Sequence, residues 1–572
     1  MHNKRACKGR KGKNAERKKY ESSYSDFLPI QSLIESPASL QFCSNLNIFM
    51  QSSNIKLTKI VCTIGPATQE IDMLCQLMNA GMDIARLNFS HGTHEYHFNT
   101  ISNIRSACEK TFGHSSFPIA LDTKGPEIRT GLIENKGNEC MLEKDSIVTV
   151  TTDISSKEKV SDKLIYVDYV KIAKVVKTGS VILIDDGNIA LTVQNIDTSN
   201  DTITCQVTCG GILKSQKGVN LPGVPVDLPA VTEKDKEDLV FGVTNEVDFV
   251  FASFIRDAAG IKAIRSILDG ASHHGKNVKI IAKLENEQGL INADEIINEA
   301  DGIMVARGDM GVEIDPEKVF IAQRMLIAKC QYQGKPVICA TQMLDSMTHN
   351  PRPTRAEVSD VAFAVADGSD AVMLSGETAN GQYPIETVQM QVRIAKMAES
   401  TFPYISRLLT TFDQYQLEAT NAIALSAVHC SFTCRAIAIV ALTTNGNSVS
   451  LLSRYRPRCP IVCVTRNEIT ARYMALLRSC YVKLISEHEK LCSYTDDVEM
   501  RINIGLKYVI ESFLQMKDTG VSLNQMATNK VQTTANHSSP SLHNVVVVTG
   551  AKPNLGYVNV LRVMVVSNDM QL

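Results

Sequence analysis

Charged residues close two apolar runs of strand length in this chain. Lys283 and Glu285 end the run that begins at Lys279, and Asp309 follows the run Gly302–Ala306. Alternate residues of a strand project to the same side, so Lys283 and Glu285 face the same way. A satisfied ion pair would explain one such pair, because unpaired charges are costly there. Two carboxylates from neighbouring strand ends, Glu285 and Asp309, also predict an oxygen-ligand site for Mg²⁺ or Mn²⁺.

Polar residues follow other apolar runs in the same way. Arg86, Asn88 and Ser90 are spaced two apart, so all three share one face of a strand. Arg86 suits a phosphate because its guanidinium is a fixed fork of donors. Asn88 and Ser90 offer neutral oxygens to a monovalent cation. Further strand ends add a carboxylate, an arginine and a hydroxyl, namely Asp122, Arg129 and Thr341. Any one of these could be structural, but together they are what a phosphoryl-transfer site requires.

The elements that must position these residues follow a repeating order. Between residues 56 and 400, short continuous apolar runs alternate with helix-like segments, which is typical of strands covered on both faces in a parallel sheet. Eight runs predict a closed (β/α)₈ TIM barrel with its chemistry at the C-terminal strand ends. The runs are Thr58–Thr63, Ile84–Asn88, Pro118–Asp122, Phe249–Phe254, Lys279–Leu284, Gly302–Ala306, Pro336–Ala340 and Asp370–Leu374.

The repeating order divides the chain into domains. The barrel takes residues 56–126 and 229–400, and residues 127–228 alternate apolar and polar positions as an antiparallel β insertion that can cover the barrel mouth as a lid. Residues 401–572 resume the strand–helix order as a smaller α/β domain. Within it, residues 517–543 read as a polar surface loop or disordered insertion. This organisation is an α/β fold of three domains.

Composition narrows the class of protein. The net charge of -2 gives no field that would attract nucleic acid or an acidic membrane. No apolar run approaches the ~20 residues of a spanning helix. The 16 cysteines are scattered without a CxxC pair, which favours free thiols in a reducing compartment and a cytoplasmic location. Residues 1–55 are basic and then Ser-rich, which predicts a disordered extension.

Three closely spaced histidines raise the alternative of a zinc site. His91, His94 and His97 are three apart at the start of a helix-like segment. Zinc would need further Cys, His or carboxylate ligands, and none completes the set convincingly. We therefore expect no zinc there.

Long segments resemble the pyruvate kinase family. They include KIVCTIGPAT, ARLNFSHGTHEYH, ALDTKGPEIRTG, KGVNLPG, KIIAKLENEQG, DGIMVARGDMGVEI and KPVICATQMLDSMTHNPRPTRAEVSDVAFAVADGSDAVMLSGETA, in family order across residues 56–400. The resemblance implies an enzyme of glycolysis that moves a phosphoryl group from phosphoenolpyruvate to ADP, giving pyruvate and ATP. It also implies that the insertion is a β-barrel lid, and that the protein is a homotetramer.

The resemblance implies roles for individual residues. Lys283 would stabilise the enolate, Glu285 and Asp309 would bind the divalent metal, and Thr341 would help to protonate the enolate. Arg86 and Arg129 would grip the phosphate. The backbone of four residues would face the substrate carboxylate: Ala306, Arg307, Gly308 and Asp309.

Two more ligand sets follow from the resemblance. A K⁺ site would be formed by Asn88, Ser90, Asp122 and the carbonyl of Thr123. Family members with a lysine at the position of Glu127 do without K⁺, so the glutamate here predicts K⁺ dependence. The nucleotide would be contacted by Thr63, Pro66, His91, Tyr96, Arg129, Asp186 and Lys217.

The chain departs from the family at its effector loop. The Ser/Thr-rich turn that holds a sugar bisphosphate in the family reads Thr443–Ser448 here, and the closing loop would be residues 550–556 after the polar insertion. Loss or alteration of fructose-bisphosphate activation is the favoured expectation.

Two rival functions remain open from the residues alone. One is another barrel enzyme acting on phosphoenolpyruvate or pyruvate enolates, such as a mutase or a metal-dependent aldolase. The other is a non-catalytic relative that serves as a regulatory or nucleic-acid-binding module.

Overall fold

The computed structural model describes most of the chain, with gaps at both ends and in six internal stretches. It covers residues 40–134, 138–412, 418–489, 491, 493–514, 541–552 and 558–567.

The described chain opens with a short helix. Helix α1 (Leu40–Ser44) buries Phe42, which packs with Met50 and Ile405. The sequence predicted a disordered extension up to residue 55, and that prediction is wrong for α1. One aromatic side chain, Phe42, packs against the C-terminal domain and stabilises this short helix. The segment is too short to show a periodic apolar pattern from which the helix could be predicted. Residues 1–39 lie outside the described part of the chain.

The first three barrel strands run parallel with buried side chains. They are β1 (Lys59–Ile64), β2 (Ile84–Asn88) and β3 (Ile119–Asp122), joined by α2 (Ile71–Ala80) and α3 (His94–Phe112). The strands pair in the order β1–β2–β3. Their continuous burial matches the sequence expectation for a sheet covered on both faces.

The insertion leaves the barrel after β3 and builds a seven-stranded sheet in the order β4–β12–β8–β9–β10–β6–β7. A bridge between Thr130 and Val167 joins the two edges of this sheet, which supports the expected barrel shape. The pair β6–β7 is parallel, so the insertion is not wholly antiparallel. Residues 152–163 are long enough to return the chain for that crossover. The elements are β4 (Ile128–Arg129), β5 (Glu139–Leu142), β6 (Ile147–Thr151), β7 (Leu164–Tyr166), α4 (Ile172–Val175), β8 (Val181–Ile184), β9 (Ile189–Asp197), β10 (Thr202–Cys209), β11 (Gly211–Lys214) and β12 (Gly218–Asn220).

The second part of the barrel supplies five more strands and closes the ring. The closed order is β1–β17–β16–β15–β14–β13–β3–β2, with every neighbouring pair parallel. The predicted (β/α)₈ barrel is confirmed. Its later elements are α5 (Glu233–Thr244), β13 (Phe249–Ala252), α6 (Ala258–Ala271), β14 (Lys279–Leu284), α7 (Glu287–Ile291), α8 (Ala293–Glu299), β15 (Gly302–Ala306), α9 (Arg307–Glu313), α10 (Val319–Gln333), β16 (Val337–Ala340), α11 (Arg355–Asp367), β17 (Ala371–Leu374), α12 (Gly376–Ala379) and α13 (Pro384–Ser400).

The C-terminal domain is a five-stranded sheet in the order β20–β19–β18–β21–β22. The last strand, β22, is antiparallel to β21 and was not among the predicted strands. Strand β21 begins at Leu542, inside the predicted polar insertion, and residues 515–540 lie outside the described chain. The elements are α14 (Tyr404–Phe412), α15 (Ala419–Thr433), β18 (Ala438–Leu442), α16 (Asn447–Arg454), β19 (Ile461–Thr465), α17 (Glu468–Met474), β20 (Cys480–Leu484), α18 (Tyr494–Val509), β21 (Leu542–Thr549) and β22 (Val560–Ser567).

Buried arginines join the C-terminal domain to the floor of the barrel, where the strands begin. Arg456 makes two bonds to Asp370, which precedes β17, at 2.6 and 2.8 Å. Arg472 binds Asp248, which precedes β13, at 2.6 Å. The opposite end of the barrel, where the strands finish, is therefore left for the lid and the site.

No helix among the described residues combines the length and the apolar character that crossing a membrane would need.

Candidate active site

Lys283 is the centre of a buried polar cluster at the C-terminal end of the barrel. Its ammonium lies 3.1 Å from Asp122 Oδ1 and 3.0 Å from Glu285 Oε1, and it donates to Ser253 Oγ at 2.8 Å. Arg86 donates from Nε to the other oxygen of Asp122 at 2.7 Å. The ends of four neighbouring strands, β2, β3, β13 and β14, thus bring two carboxylates and one hydroxyl into contact with two cationic side chains. The structure therefore brings Arg86, Asp122, Lys283 and Glu285 together at one end of the barrel, as the sequence predicts.

The electrostatics of the cluster fix the charge of the lysine. Burial would lower the pKa of Lys283, but the charges of Asp122 and Glu285 outweigh burial and raise that pKa above its usual value. Burial alone would raise the pKa of Asp122, but Arg86 and Lys283 reverse this and lower it. Lys283 is therefore a permanent cation, suited to stabilising negative charge that develops on a substrate.

Glu285 and Asp309 are suited to hold a divalent cation. Burial raises the pKa of Glu285 to about 7, with Lys283 lowering it and Asp309 raising it. Phe254 donates its backbone N–H to Glu285 Oε2 at 2.6 Å, while the buried Oε1 has no partner in hydrogen-bond geometry, although Lys283 Nζ is 3.0 Å away. A buried carboxylate whose charge interacts with that of a second carboxylate, Asp309, and whose Oε1 meets only the Lys283 ammonium, fits a hard cation. No group of three or more Cys, His, Asp or Glu side chains suited to a metal occurs in the described ranges.

The oxygens predicted to hold K⁺ lie at the ends of β2 and β3. Asn88 Oδ1 accepts from the backbone N–H of Ser90 at 3.1 Å. The Thr123 carbonyl and Asp122 Oδ1 both accept from Ser253 Oγ, at 2.6 and 3.1 Å. One carboxylate and several neutral oxygens form a donor set that suits a monovalent cation.

Thr341 sits directly after β16 in a conformation that few side chains adopt. Its φ is +69° and that of Gln342 is +53°, so the backbone is strained at this strand end. Its hydroxyl accepts from the Gly308 N–H and donates to the Ala340 carbonyl, both at 2.6 Å. The hydroxyl is thereby fixed beside the first turn of α9, which carries Asp309.

The Arg307 side chain turns away from the cluster. It donates to Asp360 at 2.6 Å and to the Thr341 carbonyl at 2.9 Å. Arg307 therefore supports the Thr341 turn from behind. The prediction for the substrate carboxylate concerns the backbone of Ala306, Arg307, Gly308 and Asp309, which runs from the end of β15 into the first turn of α9.

Residues predicted for the nucleotide fall on two sides of the mouth. On the lid, Arg129 pairs with Glu127 at 2.6 Å and Lys217 with Asp185 at 2.6 Å. On the barrel, Thr63 Oγ1 accepts from Arg86 at 2.8 Å. The others occupy loops or a first helical turn at the surface: Pro66 and His91 are exposed, Tyr96 is half-buried, and Asp186 is exposed on the β8–β9 turn.

A cavity of about 500 Å³ lies between the lid and the barrel. Its walls include Asp186 and Asn220 of the lid, Phe254 and Asp309 of the barrel, and the returning segment around Gly223. Although Asp186 as a whole residue is exposed, its carboxylate faces this space, where partial burial and then the charges of Asp309 and Asp185 raise its pKa.

The chain matches family models along most of its length. A model described as pyruvate kinase, barrel domain, matches residues 55–388, and one described as pyruvate kinase, alpha/beta domain, matches residues 421–564. The chain belongs to the pyruvate kinase family. As a member, it is a phosphotransferase of glycolysis.

Similar proteins of this family come from distant organisms. Pyruvate kinase PKLR of Homo sapiens is 45% identical, covering 91% of this chain and 87% of the relative. Pyruvate kinase of Schizosaccharomyces pombe is 50% identical, with 78% and 87% covered. Pyruvate kinase of Leishmania mexicana is 45% identical, with 86% and 97% covered.

Two residues of the pyruvate kinase site were missed from the sequence. Ser253 touches Lys283, Asp122 and Thr123 and so links the lysine to the predicted K⁺ oxygens. Phe254 supplies the N–H to Glu285 from a backbone with φ of +55°. The signal was available, because Ser253 is the polar residue that follows β13, but the run was read as strand through Phe254.

Two of the three histidine side chains make contacts with neighbouring residues. His94 binds Asp238 at 2.7 Å, and His97 Nε2 binds the His91 carbonyl at 2.9 Å while its ring stacks on Phe89. These contacts shape the loop after β2.

Proposed function

We propose that the chain transfers the phosphoryl group of phosphoenolpyruvate to ADP, giving pyruvate and ATP, with Mg²⁺ or Mn²⁺ and K⁺. The observation that carries this proposal is the placement of Lys283 between Asp122 and Glu285, with Arg86 on the far side of Asp122. The phosphorus–oxygen bond to the enol oxygen breaks, a new bond to the terminal ADP phosphate forms, and C3 of the enolate takes up a proton.

The chain's own cations neutralise the transferring group. Arg86 and Lys283 approach from the barrel and Arg129 from the lid, and each offers donors to phosphoryl oxygens. Lys283 also stays beside the enolate oxygen as charge develops there. A divalent cation held by Glu285 and Asp309 would supply Lewis-acid stabilisation of the same charge.

Thr341 is proposed to help deliver the proton, through a water molecule. Its fixed hydroxyl lies next to Gly308, whose N–H it accepts at 2.6 Å. The substrate carboxylate would meet the backbone of residues 306–309 at the start of α9, where first-turn N–H groups have no acceptor within the helix. The Gly308 N–H is the one that Thr341 already holds. This arrangement places the proton donor and the carboxylate site side by side.

A K⁺ ion would be held by Asn88, Ser90, Asp122 and the Thr123 carbonyl. Glu127 leaves no ammonium that could replace the ion. ADP would lie between Thr63, Pro66, His91 and Tyr96 on the barrel and Arg129, Asp186 and Lys217 on the lid.

The assembly is proposed to be a homotetramer in the cytoplasm, with no membrane or nucleic acid as partner. Support comes from exposed apolar side chains on the neighbouring helices α10 and α11, where Phe320, Ile321 and Phe363 are 62%, 55% and 67% exposed. A patch of this kind on a folded surface marks an interaction site, which a second copy would cover.

A coupled assay tests the proposed reaction. Purified protein is given phosphoenolpyruvate, ADP and Mg²⁺ with or without K⁺, and pyruvate is followed by its reduction with NADH and lactate dehydrogenase. We expect pyruvate only when ADP is present, and much less of it without K⁺. Pyruvate released without ADP, or none under any condition, contradicts the proposal and returns the rival functions to consideration.

A further inference from the structure

A single side-chain hydrogen bond connects a lid strand to a barrel helix within the described chain. Asn220 Nδ2 donates to Glu313 Oε1 at 2.6 Å. Asn220 is the last residue of β12 and Glu313 is the last residue of α9. The amide orientation is fixed by its partner, because the opposite orientation would point an oxygen at a carboxylate.

Both elements that this bond joins lie close in sequence to residues of the proposed site. On α9, Asp309 is four residues before Glu313, so the two carboxylates lie on the same helix face. On the lid, Asn220 is three residues after Lys217, whose ammonium binds Asp185 at 2.6 Å. The bond therefore joins α9, the helix that carries Asp309, to β12, the strand that directly follows Lys217.

The lid needs such a connection because its tethers to the barrel are irregular. The returning segment, residues 221–232, contains no helix or strand, and Gly223 within it has a φ of +70°. Arg256 holds this segment at the Leu228 carbonyl, nearer to the barrel than to the lid sheet. Across the cleft, Asp186 of the lid and Asp309 of the barrel line the same cavity as Asn220 and Glu313. A hydrogen bond from a neutral amide to a carboxylate therefore joins the two walls of this cavity.

We propose that Asn220 and Glu313 are positioning residues, a latch that holds the lid over the barrel mouth and sets Lys217 and Asp186 opposite Asp309. The kinetic part of this inference rests on the proposed function. Most of the groups proposed for phosphoenolpyruvate, such as Lys283 and Thr341, are on barrel strand ends, and of the groups that grip the transferring phosphoryl only Arg129 is on the lid. Loss of the latch therefore weakens use of ADP more than use of phosphoenolpyruvate.

Exchanging donor and acceptor gives a direct test. Asn220→Asp places two carboxylates against each other and breaks the bond. The double variant Asn220→Asp with Glu313→Gln restores it with the roles reversed, at unchanged side-chain lengths. Glu139→Gln is the matched control, because it removes an exposed lid ion pair with Lys214 that does not touch the barrel.

Steady-state kinetics on the full-length protein provide the first measurement. We expect Asn220→Asp to lower kcat/KM for ADP about tenfold, as expected for a hydrogen bond to a charged group, while KM for phosphoenolpyruvate changes less than twofold. The double variant should recover most of the loss, and Glu139→Gln should match the wild type. Equal effects on both substrates, or no recovery in the double variant, overturn the latch.

Hydrogen–deuterium exchange provides a second measurement that does not need turnover. We expect faster exchange in peptides covering residues 216–228 in Asn220→Asp, unchanged exchange in barrel strands such as β14, and recovery in the double variant. Unchanged exchange at residues 216–228 overturns the latch even if kinetics differ. A wild type that exchanges as expected but forms no pyruvate contradicts the proposed reaction alone.

Discussion

At the residue scale, the site is a balance of buried charges. Lys283 and Arg86 are paired with Asp122 and Glu285 before any ligand arrives. Such preorganisation means that donors need not reorient as charge develops on the substrate. The polar residues are therefore mutually dependent, because Asp122 and Glu285 each shift the pKa of Lys283, and Lys283 shifts the pKa of both carboxylates.

Lys283→Met tests the lysine. The substitution keeps the length of the side chain but removes the cation, so we expect turnover to fall by at least 10²–10³. Binding of Mn²⁺ and phosphoenolpyruvate, followed by titration calorimetry, should remain measurable. Lys279→Met, at the other end of β14, is the control and should keep near-normal turnover. A Lys283→Met enzyme with near-normal turnover would remove the role assigned to this residue.

Glu127→Lys tests the monovalent cation. A tethered ammonium at this position should replace K⁺, so we expect activity in K⁺-free buffer to approach the activity with K⁺, whereas the wild type should lose at least tenfold. Initial rates over a K⁺ series measure this. Glu127→Gln removes the same pairing with Arg129 without adding a cation, and should stay K⁺-dependent. Independence of K⁺ in the wild type would contradict the prediction.

At the element scale, the barrel strands can be predicted from the sequence more readily than side-chain directions beyond the strand ends or the last strand of the C-terminal domain. The eight barrel runs and the polar residues after them could be predicted, because buried parallel strands leave continuous apolar segments. The direction of the Arg307 side chain could not, since a helix begins at that residue and turns it toward Asp360. Strand β22 was missed because it follows the polar insertion and leaves Val563 and Val565 about half exposed.

The buried ion pair between Arg456, which follows α16, and Asp370, which precedes β17, leads to a prediction about stability. Arg456 and Asp370 are both about 2% exposed, so Arg456→Ala leaves a buried carboxylate without its ion-pair partner and with only backbone N–H donors from Val337 and Arg478. We expect a loss of about 3–5 kcal/mol in the free energy of unfolding. Arg324→Ala is the control, because Arg324 is largely exposed in its pair with Asp367, and it should cost about 1 kcal/mol or less. Urea unfolding followed by circular dichroism compares the two, and equal losses would contradict the prediction.

At the scale of the whole molecule, three domains divide the work. The barrel holds the cluster around Lys283, the lid carries Arg129 and Lys217, and the C-terminal domain binds the floor of the barrel through Arg456 and Arg472. The predicted effector loop follows β18, where Gly446 donates its N–H to Thr443 Oγ1 at 3.0 Å. Residues 553–557 of the closing loop lie outside the described chain, so altered effector control stays a prediction.

Phe363→Glu tests the proposed assembly. A charge on the exposed apolar patch of α11 should oppose association of two copies, so we expect a smaller species by light scattering after size-exclusion chromatography. Ile154→Glu, at a lid residue that is 75% exposed, is the control and should leave the mass unchanged. A Phe363→Glu variant with the mass of the wild type would place the interface elsewhere.

Closure of the barrel has a consequence for how the chain is made on the ribosome. Strand β1 pairs on one side with β2 and on the other with β17, at Lys59 against Ala371. One edge of the nascent sheet therefore stays bare until Leu374 has emerged, while the inserted lid, which has a hydrophobic core of its own, is complete much earlier. Unpaired apolar edges invite pairing with other chains. We expect truncated nascent chains that stop before β17 to need chaperone protection, and chains that extend beyond Arg456 to need far less.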